Sequence, residues 1–478
     1  MPDPNILFQP VGNHCRRDVA TCPPDEPLID ASSLMSRLGV SSIVVTENGL
    51  PVGIVTDRDL RNKVIARGLD PSGLKIMEIM TSPLITIGEQ EFLFEALHRI
   101  SRHGIHRIVI TGSDGSLTGI ITDSDILRLQ TNSPQRLVRL IEEATTPEEL
   151  KQLHQKVQKL VEHLIGTGVR IQELVRLIAR MNDQILIRLI EIMRIGPFRD
   201  ISGRFAFLVL GSEGRGEQTL TTDQDNAIVY ADDLSQPELQ RIIEFSEKLI
   251  RHVIDIGIPP CSGGIMASNP VWRHSVDEWK RTLDQWFSVP TPENILKVGM
   301  VADMRALYGD VTLEHELRQY IIGRLKGNEM YLGHMLSNML RFRVPLGWFG
   351  RIKTEKGEYK GQLDLKKAGI FSITEGIKIM SLWSGVNANG TEERITWLTE
   401  AKQLEQRDAG DLAAAFRALV FFRLKSQVEA LREGRTPDNR IDPERLNNME
   451  QASLQTALER VRSFQEMLKL KFRLGQLI

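Results

Sequence analysis

The sequence predicts a multidomain α+β protein, and three observations support this fold class. A short unit near the amino terminus is repeated, a stretch with helical periodicity follows it, and a strand-turn-strand segment rich in glycine and aspartate lies near the middle. With 478 residues, the chain is too long for one ordinary hydrophobic core. We therefore expect about three domains.

The composition is that of a folded globular protein and not that of a disordered or fibrous one. Hydrophobic residues make up 41% and charged residues 26%, which is typical of a folded globular chain. The 60 basic and 62 acidic residues nearly cancel, so we expect no strong nucleic-acid or membrane partner. Three cysteines without metal-type spacing favour a reducing compartment, and neither a secretion signal nor a membrane-spanning run is visible. These features predict a cytoplasmic protein.

The repeated unit is GIVTDRDL at residues 53–60 and GIITDSDI at residues 119–126. Each copy follows a β-branched run and a turn signal, Asn48-Gly49 or Asp114-Gly115. This pattern predicts two strands joined by a tight hairpin, with an amphipathic helix before them and another helix after them.

That order of elements resembles a pair of cystathionine-β-synthase (CBS) domains. The resemblance implies an adenine nucleotide as a regulatory ligand and a homodimer formed through the CBS pair. The matching residues are Thr56 with Asp59, and Thr122 with Asp125. A threonine hydroxyl at a strand end can reach a phosphate or ribose, and an aspartate at the next helix start can accept both ribose hydroxyls. The alternative is that these residues only cap their helices.

A different pattern covers residues 133–200, where apolar residues recur at spacings of three and four in two runs. Gly166 and Gly168 separate the two runs, and Gly196-Pro197 ends the second. We expect two helices that pack through an apolar stripe and connect the repeats to the segment that follows.

The most informative segment is FAFLVLGSEGRGEQTLTTDQDNAIVY at residues 205–230. It predicts a strand, a phosphate-cradling turn that begins at Gly211-Ser212, and a second strand that carries Asp223 and Asp225. Side chains alternate along a strand, so these two carboxylates would face the same side, about 6.5 to 7 Å apart. Two like charges on one face favour a bound cation, and Mg²⁺ or Mn²⁺ prefers such oxygen ligands.

The h-G-S and D-x-D arrangement resembles polymerase-β-like nucleotidyltransferases, whose fold is a mixed sheet with helices. GRGE at 214–217 is similar to the catalytic segment of protein-PII uridylyltransferase, although the phosphohydrolase signature of that enzyme is absent, which leaves PII in doubt as the substrate. The longer string GSEGRGEQTLTTDQDNA is similar to a bacterial family of nucleotidyltransferases with unassigned substrates, often fused to CBS domains. This resemblance implies an NTP held by Gly211, Ser212, Arg215, Glu217 and Gln218.

A third carboxylate is expected near the aspartate pair, as a metal ligand and as the base for the incoming hydroxyl. We favour Asp303, because the apolar run before it predicts a strand. Asp255 is the alternative, although it should lie at the end of a helix over residues 237–254. An ordinary capping or ion-paired role remains open for both.

Two further regions complete the sequence. In the loop at 260–275, Trp272 could stack on a base or could only help to turn the chain. The region from about 327 is mainly helical and rich in Arg and Lys, and it resembles the substrate-binding helical domain of the same family. The predicted domains are an N-terminal tail (1–14), tandem CBS domains (15–132, with copies at about 15–78 and 79–132), a helical connector (133–200), a nucleotidyltransferase domain (201–326) and a helical substrate-binding domain (327–478).

Two functions are compatible with these patterns. The first is a CBS-regulated enzyme that transfers a nucleotidyl group from an NTP to a hydroxyl of a protein or small molecule. The second is a non-catalytic signalling module whose vestigial transferase domain only binds nucleotides. The acceptor, the preferred NTP and the regulatory ligand stay open.

Overall fold

The computed structural model describes residues 9–129, 134–165, 171–220, 223–347 and 350–472. The predicted helix break at Gly166 and Gly168, most of the N-terminal tail and the end of the last helical run lie outside these ranges. The chain divides into two compact units, Met1–Arg136 and Leu137–Ile478. We describe each unit by itself.

The first unit holds two similar three-stranded sheets, one for each copy of the repeat. In each sheet the first strand pairs parallel with the second, and the second pairs antiparallel with the third. The strands are β1 (Thr21–Cys22), β2 (Ser42–Glu47), β3 (Leu50–Thr56), β4 (Thr86–Gly88), β5 (Arg107–Thr111) and β6 (Leu117–Thr122). The helices are α1 (Leu28–Leu38), α2 (Asp57–Asp59), α3 (Leu93–His103) and α4 (Asp123–Leu129).

The hairpin between β2 and β3 turns at Asn48 and Gly49, whose φ angles are 51° and 81°. A two-residue turn with both φ angles positive matches the twist of the flanking strands, which is why Asn-Gly predicts it. After β3 the chain makes one α-helical turn, α2, and then continues in wider π-type turns to Val64. Helix, hairpin and helix therefore recur in both copies, as the repeat predicts.

The second unit contains a four-stranded mixed sheet in the order β10-β7-β8-β9. The neighbours of β7 run antiparallel to it, and β9 runs parallel to β8. A two-stranded ribbon of β11 and β12 lies elsewhere in the unit. The strands are β7 (Phe205–Val209), β8 (Asn226–Tyr230), β9 (Arg273–Ser275), β10 (Arg305–Gly309), β11 (Leu363–Asp364) and β12 (Arg440–Ile441).

Helices surround this sheet and form the rest of the unit. Those before and within the sheet region are α5 (Pro134–Glu143), α6 (Pro147–Leu164), α7 (Ile171–Ile195), α8 (Gly211–Gly214), α9 (Gln236–Ile256), α10 (Val276–Ser288) and α11 (Pro292–Val301). Those after β10 are α12 (Val311–Leu325), α13 (Glu329–Leu340), α14 (Phe371–Ser384), α15 (Thr391–Glu400), α16 (Gln406–Arg432) and α17 (Asn448–Lys471). In the described ranges, none of the helices combines the length and apolar character that a membrane crossing requires.

The central strands β7 and β8 are buried on both faces. Ala206 and Leu208 on β7 join a core that includes the carboxy-terminal helices. Phe205 and Phe207, on the opposite face, join a second core with residues of α6, α7 and α9. A sheet covered on both faces reads as a continuous apolar run, which is the pattern of residues 205–210.

The connector helices α6 and α7 form part of the second unit. Their apolar stripe, which includes Leu153, Ile185 and Leu189, packs in the same core as Phe205 and Phe207 of β7. The stripe therefore packs the helices against each other and also against one face of the mixed sheet.

Candidate functional sites

The loop after β7 brings the predicted turn at Gly211 against Asp225. The predicted turn takes the form of one helical turn, α8, and Gly211 has a φ of 51°, which disfavours other residues. A Cβ atom at Gly211 would lie 2.7 Å from the Met300 side chain and 3.2 Å from a carboxylate oxygen of Asp225. The backbone N–H of Leu210 donates to the carbonyl of Asp225 at 2.8 Å. Glycine is therefore needed where the chain passes the carboxylate.

Asp223 and Asp225 directly precede β8, on either side of the buried Gln224. Asp223 is exposed and Asp225 is partly buried. Burial raises the pKa of Asp225 to about 6, although the Cys261 thiol and the Lys366 charge act in the opposite direction, and the Asp223 charge raises it further. The charges of the two carboxylates thus interact. Both residues precede β8, which begins at Asn226, so the prediction of a second strand that carries them is wrong.

Two cationic side chains from the carboxy-terminal region face this carboxylate pair. The Lys366 side chain is exposed overall, and its ammonium group interacts with both Asp225 and Asp223. Loss of hydration beside the protein, followed by the Arg423 charge, lowers the pKa of Lys366. Arg423 on α16 is buried, and its Nε–H has no hydrogen-bond partner among the described residues. Burial lowers the pKa of Arg423 to about 10, although the Asp364 and Asp223 charges act to raise it. The sequence indicated only that these helices are basic, so neither residue was identified.

Asp303 lies at the centre of a buried ion cluster. Its carboxylate contacts Arg215 at 2.5 Å, Arg394 at 2.7 Å and Lys378 at 2.8 Å. Burial acts to raise the pKa of Asp303, but Lys378 and the two arginines outweigh it and hold the pKa below its usual range. The three cations come from the α8 loop, α14 and α15, so the cluster connects the sheet region to the carboxy-terminal helices.

This geometry corrects two expectations about Asp303. The apolar run before it is helix α11, which begins with the start signal Thr291-Pro292, and not a strand. Both oxygens of the carboxylate are paired with cations and its pKa is lowered, so its surroundings disfavour a role as metal ligand or as base. Within the described ranges, no group of three or more His, Cys, Asp or Glu side chains is placed to hold a metal ion. Asp255, the alternative, is exposed on the last turn of α9.

The remaining residues of the GRGE loop hold the loop in place. Arg215 donates from Nε to Glu217 at 2.7 Å, so its guanidinium is shared between Glu217 and Asp303. Glu217 also accepts the backbone N–H of Thr391, at the first turn of α15, at 2.5 Å. The Gln218 amide donates to the buried Glu213 carboxylate at 2.7 Å. These contacts differ from the NTP contacts predicted for Arg215, Glu217 and Gln218.

The loop at 260–275 contacts the site through Cys261. Cys261 lies beside Asp225 and hydrogen-bonds to it. Trp272 is 2% exposed and packs against Trp279 and Trp286, with ring centroids 6.1 and 5.7 Å apart. Trp272 is thus a core residue and has no free face on which a base could stack.

A second candidate site lies within the first unit, in a cavity of about 390 Å³. Thr56 and Asp59 line it, together with His106 and Arg107 of the second copy. The Thr56 hydroxyl donates to Asp59 at 2.6 Å, and the Asp59 backbone N–H donates back to that hydroxyl. These hydrogen bonds are those of a helix cap, which the sequence offered as the alternative role, and Thr56 and Asp59 also line the cavity.

The equivalent residues of the second copy repeat the capping arrangement. The Thr122 hydroxyl donates to the Asp125 carboxylate at 2.7 Å, and the Asp125 backbone N–H donates to Thr122 at 3.0 Å. Both predicted pairs therefore have the same local geometry.

Comparison with family models covers most of the chain. Residues 11–66 and 76–132 match the CBS domain. Residues 155–293 match "Putative nucleotidyltransferase DUF294", and residues 329–472 match "Putative nucleotidyltransferase substrate binding domain". The transferase match begins inside the segment that the sequence predicts as a connector.

Individual relatives match about a quarter of the chain. An uncharacterised protein of Methanopyrus kandleri is 38% identical over 121 residues, which are 25% of this chain and 62% of that protein. A CBS domain-containing protein of Bacillus subtilis is 32% identical over 108 residues, 23% of this chain and 76% of that protein. A solved structure of an uncharacterised conserved protein from Pyrococcus horikoshii is 32% identical and covers 26% of this chain and 92% of that one, with a TM-score of 0.24.

The family matches follow one another in the same order as the repeat, the Gly-Ser and aspartate segment, and the carboxy-terminal helices. The chain therefore combines a CBS domain pair with a domain of the DUF294 nucleotidyltransferase family and the substrate-binding domain of that family.

Proposed function

We propose that this chain is a metal-dependent nucleotidyltransferase whose activity is regulated by its CBS pair. It would transfer a nucleotidyl group from an NTP to a hydroxyl of a protein or small molecule, a reaction similar to that of protein-PII uridylyltransferase. One observation carries the proposal: Asp225 lies beside the Gly211 turn, Lys366 interacts with both Asp225 and Asp223, and Arg423 interacts with Asp223. This arrangement would bring carboxylates for a metal and cations for a triphosphate to one site, which we call the NTP cleft.

The donor set fits Mg²⁺ or Mn²⁺. In phosphoryl-transfer sites Mg²⁺ is commonly held by one or two carboxylates, with waters and substrate phosphates as the other ligands. Asp223 and Asp225 would supply these carboxylates, and the pKa of Asp225 is raised by burial and by the Asp223 charge, so the pair favours a nearby cation. A bound ion would neutralise the repulsion between the two carboxylates and polarise the phosphates.

The protein side chains have distinct roles in this proposal. Lys366 and Arg423 would neutralise the triphosphate, and the hydroxyl and backbone amide of Ser212 would donate to it. The acceptor oxygen would form a bond to the α-phosphorus while the bond from that phosphorus to the bridging oxygen breaks. Pyrophosphate would leave with the electron pair of that bond, and the proton of the acceptor hydroxyl would pass to solvent water. Arg215, Glu217 and Asp303 would position the α8 loop, since their charged groups are engaged with one another.

The test is transfer of label from α-labelled ATP, UTP, GTP or CTP by the full chain, with Mg²⁺ or Mn²⁺ and a panel of protein and small-molecule hydroxyls. We expect the double variant Asp223→Asn with Asp225→Asn to lose label transfer. Asp233→Asn removes an exposed carboxylate paired with Arg204 and should transfer label at the wild-type rate. Transfer that persists in the double variant would refute the site.

A second candidate function is a non-catalytic nucleotide-binding module. It is favoured by the ion cluster around Asp303, because the expected third carboxylate is paired with three cations and, in the described ranges, no group of three His, Cys, Asp or Glu side chains is placed to hold a metal ion. Calorimetry with a non-hydrolysable NTP separates the candidates. Metal-dependent binding that is lost in the double variant, together with label transfer, supports the enzyme, whereas binding without label transfer, or binding only at the CBS pair, supports the module.

We also propose that an adenine nucleotide binds the first unit, at Thr56 with Asp59 and at Thr122 with Asp125, and that the CBS pair forms a homodimer in the cytoplasm. The cavity at Thr56 and Asp59 supports the first of these sites. AMP titration of the full chain, followed by calorimetry, tests binding; sedimentation measures the oligomeric state. Unchanged turnover at saturating AMP in an active preparation would exclude regulation by this nucleotide.

A further inference from the structure

A cavity of about 790 Å³ lies in the second unit. One wall is helix α7, and the opposite walls are the loop at 214–217, strand β10 and helices α15 and α16. Asp223, Asp225, Lys366 and Arg423 are not among its described lining residues. The cavity is therefore separate from the proposed NTP cleft, although both share the GRGE loop.

Most charged groups of the cavity wall are already paired. Arg305 contacts Asp183 at 3.0 Å, and Arg417 contacts Glu392 at 2.8 Å. Arg215 is held by Glu217 and Asp303. Paired groups of this kind shape the wall but attract a charged ligand only weakly.

Two arginines of the wall differ from these. Arg176 and Arg180 lie one turn apart on α7, both line the cavity, and neither has a hydrogen-bond or ion-pair partner among the described residues. Both are exposed, so their charged groups are accessible to a ligand from solvent. The cavity is also lined by apolar side chains, which are Val175, Ala179, Ile187, Leu307, Phe416 and Val420.

We propose that this cavity is a binding site for an organic anion, a small molecule with one carboxylate, sulfonate or phosphate group on an apolar body. Arg176 and Arg180 would bind the anionic group, because two adjacent guanidinium groups suit planar or tetrahedral oxyanions. The apolar residues would contact the body of the ligand. Cavities of about 300 to 1,000 Å³ with few polar groups are typical of small-molecule sites.

A ligand at this position would touch the loop that carries the proposed catalytic turn. Glu217 lines the cavity and holds both Arg215 and the first turn of α15. The site would thus contact the elements that position Gly211 and Ser212 without entering their cleft. Binding itself does not depend on the transfer activity, so it is tested independently.

The experiment uses two fluorescent probes that differ only in charge. The first is 1-anilinonaphthalene-8-sulfonate, and the second is N-phenyl-1-naphthylamine, which lacks the sulfonate. Both are titrated into the full chain, into the variant Arg176→Gln with Arg180→Gln, and into a matched control, Arg139→Gln with Arg199→Gln. The control removes two exposed arginines that do not line the cavity.

We expect the sulfonate probe to bind the cavity variant at least about tenfold more weakly than the wild type, since two charge-assisted contacts are lost. The uncharged probe should bind both proteins equally, and the control should match the wild type with both probes. Ala179→Phe, which fills the cavity, should weaken both probes; a thermal melt checks that it folds.

Equal binding of the sulfonate probe to the wild type and the arginine variant would overturn the proposal, and so would an equal loss in the control. The arginine variant stays informative even if Ala179→Phe does not fold, because its substitutions are exposed.

Discussion

Three cations surround the carboxylate of Asp303, which has no exposed surface. Moving an isolated charge into such a place costs several kcal/mol, and only full pairing offsets that cost. Lys378 is itself 1% exposed and also contacts Glu375 at 2.6 Å. The cluster therefore consists of groups that require one another.

Asp303→Asn should destabilise the second unit by about 3 to 5 kcal/mol, because it leaves buried cations without a counter-charge. Urea unfolding of the full chain measures the change, and Asp255→Asn, which is exposed, serves as the control. A variant of wild-type stability that only loses metal affinity would show instead that Asp303 is a metal ligand.

The same cluster gives the stability a pH dependence. Folding lowers the pKa of Asp303 below its ordinary value of 3.8, so its contribution is fully present above that pH and is lost as the pH falls through the folded value. We expect acid unfolding of the wild type to depend on this group below about pH 4. In Asp303→Asn this part of the acid dependence should be missing, as measured by unfolding between pH 2 and pH 5.

The contribution of Asp225 to stability should depend on pH in the opposite direction. Its pKa in the folded, metal-free protein is raised to about 6, so its contribution is fully present below the ordinary value and is lost as the pH rises through about 6. With EDTA at pH 7.5, Asp225→Asn should therefore melt a few degrees above the wild type. At pH 4 the two proteins should melt together; a gap of the same size at both pH values would contradict the assignment.

At the scale of elements, the α8 turn is held by a close backbone approach. A Cβ atom at Gly214 would lie 1.9 Å from the carbonyl oxygen of Asp303, a distance that no side chain can relieve. Only glycine allows α8 to pack against the link between α11 and β10. The loop geometry therefore depends on this contact as well as on the ion cluster.

Gly214→Ala should destabilise the fold by at least about 2 kcal/mol, because the added methyl displaces backbone. Label transfer should fall with it, since α8 carries Gly211 and Ser212. Gly203→Ala is the matched control, because no atom lies within 4 Å of the added Cβ. Thermal melts of the two variants measure the difference. Similar melting temperatures for Gly214→Ala and Gly203→Ala would contradict the need for glycine at position 214.

Patterns that are local in sequence allowed correct predictions of elements. The repeat and its Asn-Gly turn predicted the CBS fold, and the apolar runs around Gly211 and Asp225 predicted β7 and β8. The strand expected before Asp303 was wrong, because a buried helix such as α11 also gives a nearly continuous apolar run.

The ion cluster and the cationic side of the cleft could not be predicted in the same way. Lys366, Lys378, Arg394 and Arg423 lie far along the chain from their acidic partners and resemble ordinary basic residues of solvated helices. Only the packing of the region from Lys366 to α16 against the sheet region brings them to the aspartate pair and to Asp303. Sequence spacing carries no signal for contacts of that range.

At the scale of the whole molecule, the two compact units should unfold separately. Calorimetric scans of the full chain should show two transitions, because each unit has hydrophobic cores of its own. AMP should raise one transition, and Mg²⁺ with a non-hydrolysable NTP should raise the other, since each ligand stabilises only the unit that binds it.

The matched variants are Asp59→Asn with Asp125→Asn for the first unit and Asp223→Asn with Asp225→Asn for the second. Each pair should remove one ligand shift and preserve the other. A single transition that both ligands raise would contradict two independent units.

The position of Asp303 also limits which parts of the chain can be exchanged, both in engineered chimeras and in natural recombination. Its carboxylate is neutralised by a loop of the sheet region and by two helices located seventy or more positions downstream, so neither region keeps its charges balanced alone. A chimera that exchanges the transferase fold but retains a foreign helical tail would place a bare carboxylate or bare cations in its interior. Recombination between relatives should therefore transmit the two regions together, and the CBS pair is the module that can be replaced without disturbing that balance.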